Sequence, residues 1–349
     1  MKKYSHKNSF GLESGAVLPG LEIAYHVYGN FRPGVRVVWV CHALTASSDV
    51  FEWWPGLFGE NDLFNPEEYV IICANVLGGC YGTTGPLSNH PDTGSPWFHA
   101  FPQITIRDMV NVHRILADHL HISHIDVLIG GSLGGQQAIE CSIAEPDRIK
   151  HLILIATNAV HSPWGIAFNQ SQRMAIEADS TWRQNSPYAG LAGLKAARAI
   201  ALLSYRNYTA YSNAQHDPTP SRTLPLRASS YQIHQGNKLA RRFNAYSYVL
   251  LSHAMDSHKV SLNLDTLQSA LNRITARTLV IGISSDILFP VKEQQAIAEG
   301  IPHGQLELIE SAFGHDGFLI ETQLLTSLIS AFLTSTLSFH HTFSHSHEN

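Results

Sequence analysis

Short apolar runs separated by helical patterns constrain the fold of this chain most. Strands that are apolar on both faces are typical of a mostly parallel sheet covered by helices on both sides. Helical patterns at 106–120 and 135–144 lie between such runs, and the alternation predicts a doubly wound α/β fold. Six runs have the length and β-branched content of buried strands: 37–41, 69–75, 125–130, 152–156, 278–283 and 306–309.

The strand pattern stops over residues 162–276, where helix-like segments replace it. We interpret this stretch as a helical cap inserted between two strands of the sheet, so that the core comprises residues 1–161 and 277–338. Within the cap, residues 207–227 are polar and contain prolines, which predicts a loop or a connector between helices. Residues 339–349 are expected to be a disordered tail.

Charge and hydropathy exclude several classes of protein. The 349 residues carry a formal net charge of -5, and only 15% of them are charged. We therefore expect no nucleic-acid partner, because nucleic-acid binding needs a basic surface. No window approaches 18 uninterrupted apolar residues, and residues 1–20 lack the apolar core of a signal peptide. We expect a cytoplasmic protein that does not enter a membrane.

Cysteine and histidine patterns argue against disulfides and metals. Four cysteines occur without a C-x-x-C pair, which favours free thiols in a reducing compartment. Histidines cluster at 119–124 and again at 340–347. Neither cluster combines helical i, i+4 spacing with a carboxylate on an ordered element, so we expect no metal site.

One glycine-rich string has the pattern of a nucleophile elbow. GGSLG at 130–134 follows the strand-like run and precedes a helical pattern, which is the context a nucleophilic serine requires. Glycines two residues before and after Ser132 allow the close chain approach that this strained turn needs. The string alone is also compatible with a plain glycine-rich turn between strand and helix.

An acid and a histidine follow in the order that a catalytic triad on such an elbow needs. Asp286 comes after the run at 278–283, and His315 comes after the run at 306–309. Either residue alone could be an ordinary loop or capping residue. Together with Ser132 they predict a triad, in which the histidine acts as general base and the aspartate orients it.

Backbone N–H groups must stabilise the oxyanion that such a nucleophile creates. In this arrangement one N–H belongs to the residue after the serine, and the other to the loop after an early strand. The sequence places Leu133 in the first position and offers Leu44 as the candidate for the second.

A longer set of motifs extends beyond the triad. The chain resembles homoserine O-acetyltransferases of the α/β-hydrolase superfamily over about residues 20 to 335. It carries these blocks in family order: CHALT at 41–45, NVLGGCYGTTGP at 75–86, FPQITIRDMV at 101–110, GGSLGG at 130–135, AMD at 254–256 and GHDGFL at 314–319.

The resemblance implies an α/β-hydrolase fold and acetyl transfer from acetyl-CoA, as co-substrate, to the side-chain hydroxyl of L-homoserine, a step toward methionine. It implies that Arg198 binds the amino-acid carboxylate, that Tyr205 is its companion, and that Asp316 faces the amine. A zwitterion needs one such cation and one such anion. The resemblance also implies a homodimer with no further cofactor.

Departures from the family pattern lie outside the triad. Ala46 stands where the family has glycine, Gln170 where glutamate is common, and Leu133 where methionine is common. They leave open a succinyl donor or a serine acceptor, because related enzymes on this fold differ by few pocket residues.

Two further classes of function remain as alternatives. A serine esterase would use the same triad to transfer the acyl group to water. A non-catalytic binding protein of this fold would ordinarily have lost a triad residue, whereas all three are present. Arg198 and Asp316 favour the transferase, because a simple esterase has no reason to direct both charges at its pocket.

Overall fold

A computed structural model of the chain describes residues 1–219, 226–262, 264 and 266–335. The predicted tail at 339–349 and the last core residues, 336–338, lie outside the described residues. An eight-stranded sheet has the spatial order β1-β4-β6-β5-β7-β8-β9-β10. Its strands are β1 (Lys2–His6), β4 (Leu21–Tyr28), β5 (Arg36–Cys41), β6 (Tyr69–Ala74), β7 (Ile125–Gly131), β8 (Ile149–Ile155), β9 (Arg277–Ile283) and β10 (Gly304–Ile309).

The six strands from β5 to β10 are parallel, whereas β1 and β4 add an antiparallel edge. All six predicted runs form strands, which confirms the mostly parallel sheet. The N-terminal strands were not predicted, and neither was the separate hairpin of β2 (Phe10–Gly11) and β3 (Val17–Leu18).

Helices cover both faces of the sheet, so the strands bury side chains in both directions. Along β5, Val37 and Trp39 join one apolar cluster and Val38 and Val40 join the other. The helices of the core are α1 (Val50–Trp53), α2 (Ile106–His119), α3 (Leu133–Ala144), α10 (Val291–Gly300), α11 (Gly317–Ile320) and α12 (Thr322–Thr334). This double cover explains why the strands read as continuous apolar runs.

In the described part of the chain, six helices stand between β8 and β9, where the sequence predicts the inserted cap. They are α4 (Pro163–Glu177), α5 (Leu191–Tyr205), α6 (Tyr208–Ala214), α7 (Arg227–Ala240), α8 (Ala245–Asp256) and α9 (Leu267–Leu271). Helix α6 lies in the stretch expected to be a loop or connector, and the Asn207 side chain caps it by accepting from the Thr209 N–H at 2.8 Å. In the described part of the chain no single helix is long and apolar enough to cross a membrane.

Candidate active site

Ser132 stands at the turn between β7 and α3 in a conformation that few residues adopt. Its backbone angles are φ 57° and ψ -126°. Two glycines permit this turn: a Cβ on Gly130 would lie 2.2 Å from the Gly134 carbonyl oxygen, and one on Gly134 would lie 2.0 Å from the Cys41 carbonyl oxygen. The strained turn lifts the serine to the carboxyl end of the sheet, where a nucleophile elbow places it.

His315 and Asp286 complete a hydrogen-bonded line with the serine. The His315 Nε2 atom lies 2.9 Å from Ser132 Oγ, and Nδ1 lies 2.7 Å from Asp286 Oδ2. All three residues are buried. The other carboxylate oxygen, Oδ1, accepts from the N–H groups of Leu288 and Phe289 at 2.8 and 3.0 Å. These bonds fix the carboxylate so that it can hold the Nδ1–H tautomer and leave Nε2 free to accept the serine proton.

Aromatic rings hold the imidazole of His315 in place. Phe289 stacks on it at 5.0 Å between ring centroids, and Phe318 meets it edge-on at 5.3 Å. Tyr205 from helix α5 lies 5.7 Å away on the cap side. The base therefore has a fixed orientation in an apolar environment, where its electrostatic interactions are stronger than in water.

The two predicted oxyanion donors lie on adjacent elements. Leu133 is the first residue of α3, and Leu44 lies in the loop after β5. Strands β5 and β7 pair with Cys41 opposite Gly130, so this loop runs beside the elbow.

His42 fixes the loop that carries Leu44. Its Nδ1–H donates to the Ala43 carbonyl at 2.8 Å, and Nε2 accepts from the Val76 N–H at 3.1 Å. Burial lowers the pKa of His42 to about 4, so it is neutral at pH 7. Gln137 of α3 also donates to the His42 carbonyl at 3.1 Å, which ties the loop to the helix that follows the nucleophile.

The three predicted substrate-binding residues lie together on the cap side of the triad. The Arg198 guanidinium lies 5.4 Å from the centre of the Tyr205 ring, two helical turns along α5. Burial raises the pKa of Tyr205, so its hydroxyl stays protonated. Asp316 stands directly after the catalytic histidine, and burial raises its pKa as well.

Arg206 was not predicted to belong to this site. Its Nε atom lies 2.9 Å from Asp316 Oδ2, so the carboxylate already has a cation next to it. The sequence offers only a weak signal for this role, namely a second arginine eight residues after Arg198, close to the same side of a helix.

Two further polar residues form hydrogen bonds that stabilise the backbone at the nucleophile. Thr157 Oγ1 donates to the Ser132 carbonyl at 2.8 Å, and the Gln294 side chain donates to the Thr157 carbonyl at 2.6 Å. Both side chains are fully buried. They hold the strained turn, and sequence reasoning had no pattern from which to find them.

An ion pair between a buried arginine and a partly buried aspartate stabilises the cap above the core. Arg173 of α4 lies 2.5 Å from Asp256 at the end of α8, and Asn169 donates to the same carboxylate at 2.8 Å. His161, between core and cap, contacts Asn169 at 3.2 Å. Because these side chains join α4 and α8 to the chain that leaves β8, they fix the cap relative to the sheet.

Two large open cavities in the described part of the chain lie away from the triad. One of about 630 Å³ lies beside β1 and β4 and includes Lys7 and Trp97 in its lining, and another of about 690 Å³ includes Glu13 and His253. Neither is lined by a triad residue. Among the described residues no group of three or more histidine, cysteine, aspartate or glutamate side chains is arranged to hold a metal ion. The geometry at Ser132 identifies the candidate site.

Comparisons with known proteins agree with this geometry. Residues 36–322 match a family model described as the alpha/beta hydrolase fold. A curated homoserine O-acetyltransferase of Cyclobacterium marinum is 43% identical over 327 residues, which is 93% of each chain. The chain belongs to the homoserine O-acetyltransferase family.

Solved structures similar to this family member include enzymes of two kinds. A homoserine O-acetyltransferase from Bacillus anthracis superimposes with a TM-score of 0.89 at 21% identity, covering 97% of this chain and 98% of that one. An acetylester hydrolase from Corynebacterium glutamicum gives 0.84 at 22% identity, covering 96% of each. At these identities the likeness shows the fold alone, which both transferases and hydrolases use.

Proposed function

We propose that this protein transfers an acetyl group from acetyl-CoA to the side-chain hydroxyl of L-homoserine. The observation that carries the proposal is the 43% identity to a curated homoserine O-acetyltransferase over 93% of both chains. The hydrogen-bonded line of Ser132, His315 and Asp286 supports it, because that arrangement activates a serine for acyl transfer.

In the first half-reaction Ser132 Oγ attacks the thioester carbonyl, and His315 Nε2 takes the serine proton. The oxyanion forms facing the N–H groups of Leu133 and Leu44. When the carbon–sulfur bond breaks, His315 returns the proton to the CoA thiolate. An acetyl ester on Ser132 remains.

In the second half-reaction the homoserine hydroxyl attacks this ester while His315 takes the hydroxyl proton. The ester bond to the enzyme breaks, and the proton passes to Ser132 Oγ. Arg198 binds the acceptor carboxylate, Tyr205 stands beside it, and Asp316 faces the ammonium group. No further cofactor takes part, because the two bonds exchanged are an ester and a thioester.

A CoA-release assay tests the choice of donor and acceptor. It combines acetyl-CoA or succinyl-CoA with L-homoserine or L-serine. We expect acetyl-CoA with homoserine to react fastest, with some activity on serine, because one methylene is worth only about 1 to 3 kcal/mol of discrimination. A faster reaction with succinyl-CoA would contradict the proposed donor.

Hydrolysis is the second candidate activity. The triad supports it as well, because the same activated serine would transfer its acyl group to water if water reached the acetyl-enzyme. Acetyl-CoA turnover without an acceptor measures it directly. We expect homoserine to raise CoA release well above this background, whereas equal rates with and without homoserine would identify a hydrolase.

Arg198→Lys tests the acceptor site. The lysine keeps the charge but loses the fork of N–H groups that binds a carboxylate in two places. We expect the KM for homoserine to rise far more than acetylation of Ser132 slows. Equal damage to both half-reactions would show that Arg198 serves the donor site or the fold.

We also propose that the protein acts in the cytoplasm as a homodimer whose interface includes the cap. Large apolar side chains are exposed on three cap helices: Leu203, Tyr208 and Ile233. Burying exposed apolar side chains of this kind in an interface would favour association. In sedimentation at micromolar concentration, we expect a dimer that Ile233→Glu weakens. Val17→Glu, a matched change at an exposed apolar residue outside the cap, should leave the dimer intact, and a monomeric wild type would contradict the proposal.

A further inference from the structure

Arg206 stands between the cap and the catalytic loop. It follows the last residue of α5, and its Nε atom lies 2.9 Å from Asp316 Oδ2, with side chains 28% and 14% exposed. The Nε–H group of Arg206 makes no well-aligned hydrogen bond. The attraction between Arg206 and Asp316 is therefore mainly one between opposite charges. From the other side, Nη2 of Arg206 approaches the Tyr231 hydroxyl of α7 at 3.5 Å.

The backbones of the two partners are also in close contact. Gly314, with φ +63°, runs so close to the end of α5 that a Cβ there would lie 3.0 Å from backbone atoms of Tyr205, Arg206 and Asn207. The turn Gly314–Asp316 therefore rests on the helix end that carries Arg206. This contact fixes the backbone at Arg206 close to the turn that carries Asp316.

Burial disfavours the charged form of the Asp316 carboxylate, and a nearby cation offsets that cost. Burial raises the pKa of Asp316, and the positive charge of Arg206 is the largest effect opposing that rise. A carboxylate in such a place either gains a partner or takes up a proton. Among the described residues none donates a hydrogen bond to its second oxygen, Oδ1.

We propose that Arg206 is a positioning residue of the acceptor site, which holds the Asp316 carboxylate through Oδ2 so that Oδ1 receives the acceptor's ammonium group. This inference rests on the proposed function. It assigns to the Arg206–Asp316 pair the selection of acceptors that carry an amine next to the carboxylate. Arg206 itself need not touch the acceptor.

The test compares Arg206→Gln with wild type on two acceptors and on the first half-reaction. We expect the KM for homoserine to rise by roughly 10-fold or more, the size expected when one charge-assisted hydrogen bond is weakened. The KM for 4-hydroxybutanoate, which lacks the ammonium group, should be unchanged. Acetylation of Ser132 by acetyl-CoA should stay within about 3-fold of wild type if Arg206 acts on the acceptor alone.

Two variants serve as controls. Arg206→Lys restores a cation and should recover most of the homoserine KM, whereas Arg183→Gln at an exposed cap arginine should change nothing. In an Asp316→Asn background, Arg206→Gln should have no further effect on the homoserine KM.

Three results would overturn the inference. They are an unchanged homoserine KM, an equal rise for 4-hydroxybutanoate, and a lower homoserine KM, which would mean that Arg206 competes with the ammonium group. Each of these results counts against the inference when the wild-type protein acetylates homoserine in the same assay. A wild type that does not acetylate homoserine would instead refute the proposed function.

Discussion

Gly134→Ala should disable the site without weakening the helix that carries it. A Cβ at Gly134 would lie 2.0 Å from the Cys41 carbonyl oxygen, and real Cβ contacts essentially never fall under 3.0 Å. The neighbour is backbone and cannot rotate away, so α3 and the end of β5 must separate by about 1 Å. Leu133 is the first residue of α3 and Leu44 lies in the loop that follows β5, so the separation widens the proposed oxyanion site.

The expected loss follows from that displacement. Removing one oxyanion donor costs about 10²- to 10³-fold in rate, and a misplacement of about 1 Å costs about 10²-fold. We therefore expect acetylation of Ser132 to slow by about 10²-fold. The substitution should not weaken helix α3 itself, because alanine is favoured over glycine inside a helix by roughly 1 kcal/mol.

Rapid quenching of the reaction with acetyl-CoA, followed by mass analysis, measures the acetylation rate, and urea unfolding reports stability. Gly11→Ala is the matched control, because a Cβ there meets nothing within 4 Å. It should acetylate at the wild-type rate. If Gly134→Ala acetylates within about threefold of wild type, the close approach does not position the oxyanion site and the reasoning is wrong.

Three further predictions concern stability, each measured by urea unfolding. Burial lowers the pKa of His42 to about 4, so below about pH 6.5 the unfolded chain binds a proton that the folded chain does not. The contribution of His42 to the free energy of unfolding is therefore lost as the pH falls. The difference in unfolding free energy between wild type and His42→Gln should shrink by about 2 kcal/mol from pH 7 to pH 5. A difference that stays constant over this range would contradict the prediction. Arg173→Gln removes the cation beside Asp256, which is partly exposed and keeps its hydrogen bond from Asn169, and should cost about 1.5 to 3 kcal/mol. Thr157→Val keeps the shape but removes the bond to the Ser132 carbonyl, at a cost of about 1 kcal/mol, and a more stable variant would refute it.

The central strands could be predicted because burial on both faces leaves a continuous apolar run. The edge could not, since β1 is largely exposed and contains Lys2, Lys3, Ser5 and His6. Helix α7 has a weak sequence signal for a similar reason. Only Gly236 and Leu239 are buried along it, so its sequence lacks the apolar stripe that identifies a helix.

The candidate site divides in the same way. The serine, aspartate and histidine each follow a recognisable strand, so their order and spacing alone were enough to predict them as a triad. Arg206 and Asp316 meet only because Gly314 packs against the end of α5, a contact between segments about a hundred residues apart. Thr157 and Gln294 are identified only by bonds to backbone atoms, which leave no periodic pattern in the sequence.

Mass spectrometry of the protein mixed with acetyl-CoA alone tests the central claim most directly. We expect one added acetyl group, located on Ser132, which disappears when L-homoserine is added and O-acetylhomoserine forms. Ser132→Ala should show no added group and lose about 10⁴-fold or more of the turnover rate. An unmodified Ser132 under conditions that support turnover would contradict an acetyl-enzyme at this serine.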